Sequence, residues 1–66
     1  MIYDYMVSYC EKKKTTVTQF ERDCGLGRGT IGKWKDSKPS LETLKKVSDY
    51  TKINLVTLVK EAMKDE

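Results

Sequence analysis

The side chains best suited to chemistry in this 66-residue chain are cations gathered near its middle: Arg28, Lys33, Lys35 and Lys38. A guanidinium offers a planar fork of donors to a flat acceptor edge, and an ammonium holds an oxyanion as a point charge. Gln19 and Thr30 add neutral donors, while Gly29 and Gly32 expose bare backbone among them. Such a set suits recognition of a polyanion better than bond making. The chain has no histidine, no nucleophile beside a general base and no loop that cradles phosphates. GLGRG, residues 25–29, mimics a dinucleotide fingerprint only superficially, because it follows a helical pattern and opens no βαβ unit. No enzyme is expected, and no small-molecule substrate.

The charge is unevenly spread. The net formal charge is +3, yet residues 12–46 hold ten cations against four anions, while the ends are slightly acidic. The excess therefore sits on the segment that carries Arg28 and Lys33, as a nucleic-acid footprint requires; the blander reading is a solvated helix face. Cys10 and Cys24 lack metal-ligand spacing, and two thiolates without a histidine do not complete a zinc tetrahedron. They read as small core or boundary residues in a reducing compartment. No metal and no cofactor is called for. No apolar run approaches the roughly 20 residues of a membrane span, and the start, MIYD, is no signal peptide. The chain is expected to be complete, cytoplasmic and free of the membrane.

Positioning the cations falls to helices. Ile2, Tyr5, Met6, Tyr9 and Cys10 recur at helical spacing over residues 2–13, and packing is the expected role of Tyr3, Tyr5 and Tyr9. Thr16 with Gln19 three residues on forms a capping box for a second helix over about 17–24, burying Val17, Phe20 and Cys24. Gly25 stops that helix and Leu26 plugs the corner. A third helix is predicted over about 28–36, with Ile31 and Trp34 on its inner face and Arg28, Lys33 and Lys35 outside. Trp34 reads as a core keystone rather than an intercalator, because it shares a face with Ile31. Lys38-Pro39 ends that helix and Ser40 caps a fourth, with Leu41, Leu44, Val47 and Tyr50 as its apolar set. Asn54 caps a fifth, carrying Leu55, Leu58, Val59, Ala62 and Met63. The expectation is an all-α, compact five-helix bundle, a single domain over 1–66 with a helix-turn-helix at about 16–36.

TQFERDCGLGRGTIGKW, then Pro39-Ser40-Leu41, LETLKKVSDY and INLVTLV, resembles the Cro/repressor (XRE-type) helix-turn-helix family, and especially its small phage members. The resemblance covers roughly residues 2–60. It implies a lambda-repressor-like DNA-binding domain and a transcription regulator, such as a repressor, in a phage lysis–lysogeny switch. Two positions depart from the family pattern. Gly27 stands before the third helix where serine or asparagine is frequent, which weakens that cap. Glu21 stands where alanine is frequent, against the third helix; a carboxylate there is expected to point out of the contact or to pair with Arg28 or Lys33.

Docking as the relatives do would bring the third helix to the major groove of a double-stranded operator. Arg28 is then the candidate for guanine O6 and N7, a contact worth about 1–3 kcal/mol of discrimination. Lys33 is the second base-reading candidate, Thr30 suits a phosphate or a thymine methyl, and Lys35 and Lys38 suit phosphates or plain solvent. Gln19 is placed to hold a phosphate and brace Arg28. Gly29 and Gly32 each cost about 1 kcal/mol inside a helix, which suggests that something approaches the backbone there. A dimer would use the C-terminal helix, with Val56, Val59 and Met63 as candidates that serve equally well as core. The resemblance also leaves a second function open. Some phage relatives are antirepressors, whose helix-turn-helix face captures a cognate repressor protein and blocks its DNA binding.

Overall fold

The computed structural model describes residues 2–64; the acidic end at Asp65 and Glu66 lies outside the described residues. Four α-helices are present among them: α1 (Ile2–Lys12), α2 (Val17–Cys24), α3 (Leu41–Thr51) and α4 (Leu55–Met63), with no strand. They pack into a body of 26 × 22 × 21 Å. The expected five-helix bundle is corrected here. Where a helix over 28–36 is predicted, the chain makes a run of turns and one short 3-10 turn, Gly32–Lys35. Three glycines in the six residues from Gly27 to Gly32 explain the loss. Each weakens a helix, and Gly29 takes φ +81°, a left-handed conformation that no right-handed helix contains.

The α1 stripe of Ile2, Met6 and Cys10 recurs every four residues and is buried along its whole length. Against it lie Phe20 from α2, Ile31 and Trp34 from the predicted third helix, Leu44 and Val47 from α3, and Leu58 and Ala62 from α4. Helix α1 touches α2, the 3-10 turn and α4, while α3 packs on α4 and α2. Phe20 meets Tyr9 and Tyr50 edge to face, at ring-centroid separations of 5.7 and 5.5 Å. Leu41, Tyr50 and Met63, although in phase with their helices, stay exposed, as does Val56, which lies off the apolar phase of α4.

The helix ends follow from local chemistry. Thr16 Oγ1 accepts the Gln19 amide at 3.1 Å, and Ser40 Oγ accepts the Thr43 amide at 3.2 Å. Asn54 Oδ1 takes the Val56 amide at 2.7 Å. Only half of the Thr16–Gln19 box forms, because the Gln19 side-chain amide donates to Asp23 at 2.8 Å instead of reaching back. At the C-terminal ends, α2 closes on left-handed Gly25, with the Leu26 amide reaching Glu21 O and the Gly25 amide reaching Arg22 O. Helices α1 and α3 close the same way on Lys14 (φ +57°) and Lys52 (φ +66°), side chains that pay the left-handed penalty glycine avoids. No helix of the described residues is long and apolar enough to cross a membrane.

Candidate nucleic-acid interface

The segment from Leu26 to Ser37 is short and contains little regular structure, so its geometry depends on what holds it. From below it is held by Ile31, fully buried, and by Trp34, both sunk into the core against α1. They stand three positions apart, and the predicted inner face is correct although the helix is not. Its own hydrogen bonds are turn-like. The Thr30 amide and hydroxyl both donate to Gly27 O, at 3.1 and 2.6 Å. The Lys33 amide donates to Gly29 O, and Trp34 to Ile31 O. The Lys33 carbonyl then gathers the Asp36 amide, the Ser37 amide and the Ser37 hydroxyl, which ends the segment.

From the side it is held by Glu21. This carboxylate neither points outward nor pairs with Arg28 or Lys33, the two arrangements its position suggested. It is 3% exposed, and its oxygens accept the backbone amides of Gly29 (Oε1, 3.0 Å) and Ile31 (Oε2, 2.8 Å). The missing side-chain cap at Gly27 is thereby replaced by one from α2. Two amides at the start of a turn that would otherwise lack partners converge on one carboxylate. Sequence reasoning left Glu21 out of the site. The signal was present in the pairing of a glycine at the cap position with a carboxylate at the contact position of the preceding helix.

Five of the eight predicted contact residues, Arg28, Gly29, Thr30, Gly32 and Lys33, fall within residues 28–33, interrupted only by buried Ile31. Arg28 and Lys33 are exposed, as are both glycines, and a Cβ added to either glycine would meet nothing within 4 Å. The close backbone neighbour that glycines at these positions suggested is therefore not supplied by the chain itself. At Gly29 the left-handed φ already requires glycine, whereas Gly32 has no such requirement. The other three side chains are engaged elsewhere. Gln19 bonds along α2 to Asp23 rather than bracing Arg28. The Lys35 ammonium sits over the Tyr3 ring of α1, 4.9 Å from its centroid. Lys38 donates to Ala62 O near the end of α4 at 3.3 Å, a favourable place for a cation beside a helix C-terminus. Arg28 also borders a shallow depression shared with Thr18, Glu21, Arg22 and Leu26, which brings a second guanidinium, Arg22, to the same neighbourhood.

Neither cysteine lies in this stretch. Burial raises the Cys10 thiol pKa above its ordinary value, and the charge of Glu21 adds to the shift. Burial also raises Cys24, with the nearby Lys46 ammonium offsetting part of it; the Cys24 thiol donates to Lys46 O at 3.5 Å. Both are poor nucleophiles at neutral pH.

An exposed cationic stretch clamped to a helical core at a tight α2 turn is a surface built to present a few donors at a fixed angle. The family profile described as a Cro/C1-type HTH DNA-binding domain matches residues 8–60, from within α1 to within α4. Comparison with the curated proteins and with the solved structures found no match.

Proposed function

The chain belongs to the Cro/C1-type helix-turn-helix DNA-binding family, and from that premise we propose that it is a sequence-specific transcription regulator of Cro/repressor type. In this reading it is a cytoplasmic, non-enzymatic protein that lays the segment 28–35 in the major groove of an operator. The observation that carries the proposal is the exposed Arg28–Lys33 stretch, anchored beneath by buried Ile31 and Trp34. Arg28 reads a guanine edge, Lys33 contributes a second base or phosphate contact, and Thr30, whose hydroxyl already donates to Gly27 O, offers its methyl. Gly29 and Gly32 let a sugar–phosphate strand or base edge come close to the backbone. Lys35 and Lys38 are weaker candidates, because their ammonium groups already have partners at Tyr3 and Ala62.

One module with so few donors binds weakly, so two copies on paired half-sites are the proposed working form. Val56 (59% exposed) and Met63 (67% exposed) stand seven residues apart on one side of α4 and supply an apolar seam. Val59 packs against the core instead and is not needed for that seam.

Selection from a pool of random duplexes, followed by a salt titration of the selected sequence, tests the reading. The expected result is a defined motif, affinity falling steeply with salt, and loss of preference at one base pair on Arg28→Ala. Binding to no duplex at low salt would sink it. A second reading is favoured by the open, side-chain-free surface over Gly29 and Gly32, which fits a flat protein face as well as DNA. There the chain is an antirepressor that captures a cognate repressor, and its phage origin belongs to the same proposal. Co-purification with a repressor, in the absence of duplex binding, would support it.

A further inference from the structure

Glu21 is the buried charged side chain of the described residues, and burial of a carboxylate is costly unless its oxygens are well bonded. Here both oxygens are used, and both on the backbone of the reading segment: Gly29 N at 3.0 Å and Ile31 N at 2.8 Å. The Gly29 amide belongs to the peptide plane that also contains the Arg28 carbonyl, so fixing it fixes the direction in which the chain leaves Arg28. The Ile31 amide fixes the plane of the Thr30 carbonyl in the same way. Between these two planes lies left-handed Gly29, the softest backbone position of the segment. Without the carboxylate, residues 27–30, two of them glycines, would be held by the Thr30 turn bonds to Gly27 and by the Lys33 amide on Gly29 O, which leave the Arg28–Gly29 peptide plane unfixed.

We infer that Glu21 is the positioning residue for base readout: its carboxylate aims Arg28 by holding the amides of Gly29 and Ile31. The inference rests on the DNA-reading function proposed above. It means that these two amides are not offered to a phosphate, so affinity comes from cationic side chains and discrimination from the rigidity of one loop. A merely structural Glu21 would lower binding to every duplex alike, in proportion to the folded fraction lost.

The test uses the full chain and the motif selected by the wild type. Glu21→Gln keeps the volume and one acceptor oxygen but turns an amide NH2 toward the second backbone donor, which breaks one of the two bonds. With the variant folded by circular dichroism, the ratio of affinities for selected and scrambled duplex is expected to fall about tenfold, with the salt slope unchanged. The Gly29 or Ile31 amide resonance should lose exchange protection. In the Arg28→Ala background, Glu21→Gln should change the ratio no further, because the side chain it aims is gone. Glu21→Asp, one methylene short, serves if Glu21→Gln does not fold. A wild-type ratio in the folded variant, or an equal fall on both duplexes, overturns the inference and leaves DNA binding intact. Failure of the wild type to prefer any duplex overturns both.

Discussion

Gly29 and Gly32 look equivalent in the sequence, each a helix-weakening residue in the segment 28–36, and the structure gives them opposite roles. Alanine at Gly29 must adopt φ near +81° or force the turn to rearrange. No neighbouring atom lies within 4 Å of the added Cβ, so the cost is entirely in the backbone. The left-handed penalty is about 1–2 kcal/mol, only partly offset by the smaller entropy of unfolded alanine. Gly32 has the same open space without a left-handed backbone, and alanine there is expected to stabilise by about 0.5 kcal/mol. The same chemical change at two positions three residues apart should thus differ by about 2 kcal/mol, of a total stability of about 3–10 kcal/mol for a domain of this size. At 4–8 °C per kcal/mol, the two variants should melt about 8–16 °C apart. Thermal melts followed by far-UV circular dichroism, with urea titrations as a check, measure this directly. Gly25→Ala is the internal control, since Gly25 is left-handed (φ +83°) and equally open, and it should behave like Gly29→Ala. Equal melting temperatures for Gly29→Ala and Gly32→Ala would refute the reasoning. They would mean that residues 28–36 form a continuous right-handed helix in solution.

Three further outcomes follow from the same structure. Ile31→Ala removes a fully buried side chain that ties the reading segment to the core, and should cost about 2–5 kcal/mol, read as a large drop in the urea midpoint. Lys14→Gly and Lys52→Gly relieve left-handed side chains at two helix ends, and each should raise stability by about 1 kcal/mol; a lowered melting temperature in either would contradict the assigned turn. The folded state keeps the Cys10 and Cys24 protons to higher pH than the unfolded chain does, so between the two pKa values the native state binds more protons. Their contribution is complete below the ordinary thiol pKa of about 8.5 and shrinks as pH rises through the folded values. The melting-temperature difference between wild type and Cys10→Ala/Cys24→Ala should therefore narrow above about pH 9.

Much of the scaffold was legible because its signals are periodic or local. The α1 stripe, the Thr16, Ser40 and Asn54 caps, the Gly25 stop and the Ile31–Trp34 pair need only spacing and capping chemistry, and all are present. The third helix was misread because apolar spacing of three is shared by an α-helix and a 3-10 turn, and only the glycine content separates them here. Leu41, Tyr50 and Met63 fit their helices in phase yet remain exposed, since the body is too small to cover every in-phase residue. Within the candidate site, chemistry could be assigned to residue types but not to partners. Nothing in the order of residues tells that the Lys35 ammonium lies over Tyr3, whereas the Gln19–Asp23 bond is an i,i+4 pair that helix spacing allows but does not choose over the capping box.

A shorter reading element changes how specificity must be built. A regular helix fixes its side chains by its own ladder of hydrogen bonds and can present donors from several turns. A single 3-10 turn preceded by left-handed Gly29 has no such ladder, so its rigidity must be imported from neighbours. Here it arrives along two routes: apolar burial of Ile31 and Trp34 against α1, and the Glu21 carboxylate reaching across from α2. The first sets the depth of the segment and is a matter of stability. The second sets the direction of one loop and, in the function proposed, is a matter of discrimination. The two should therefore separate experimentally: core variants lower binding with folding, whereas Glu21 variants change which sequences are preferred by protein that remains folded.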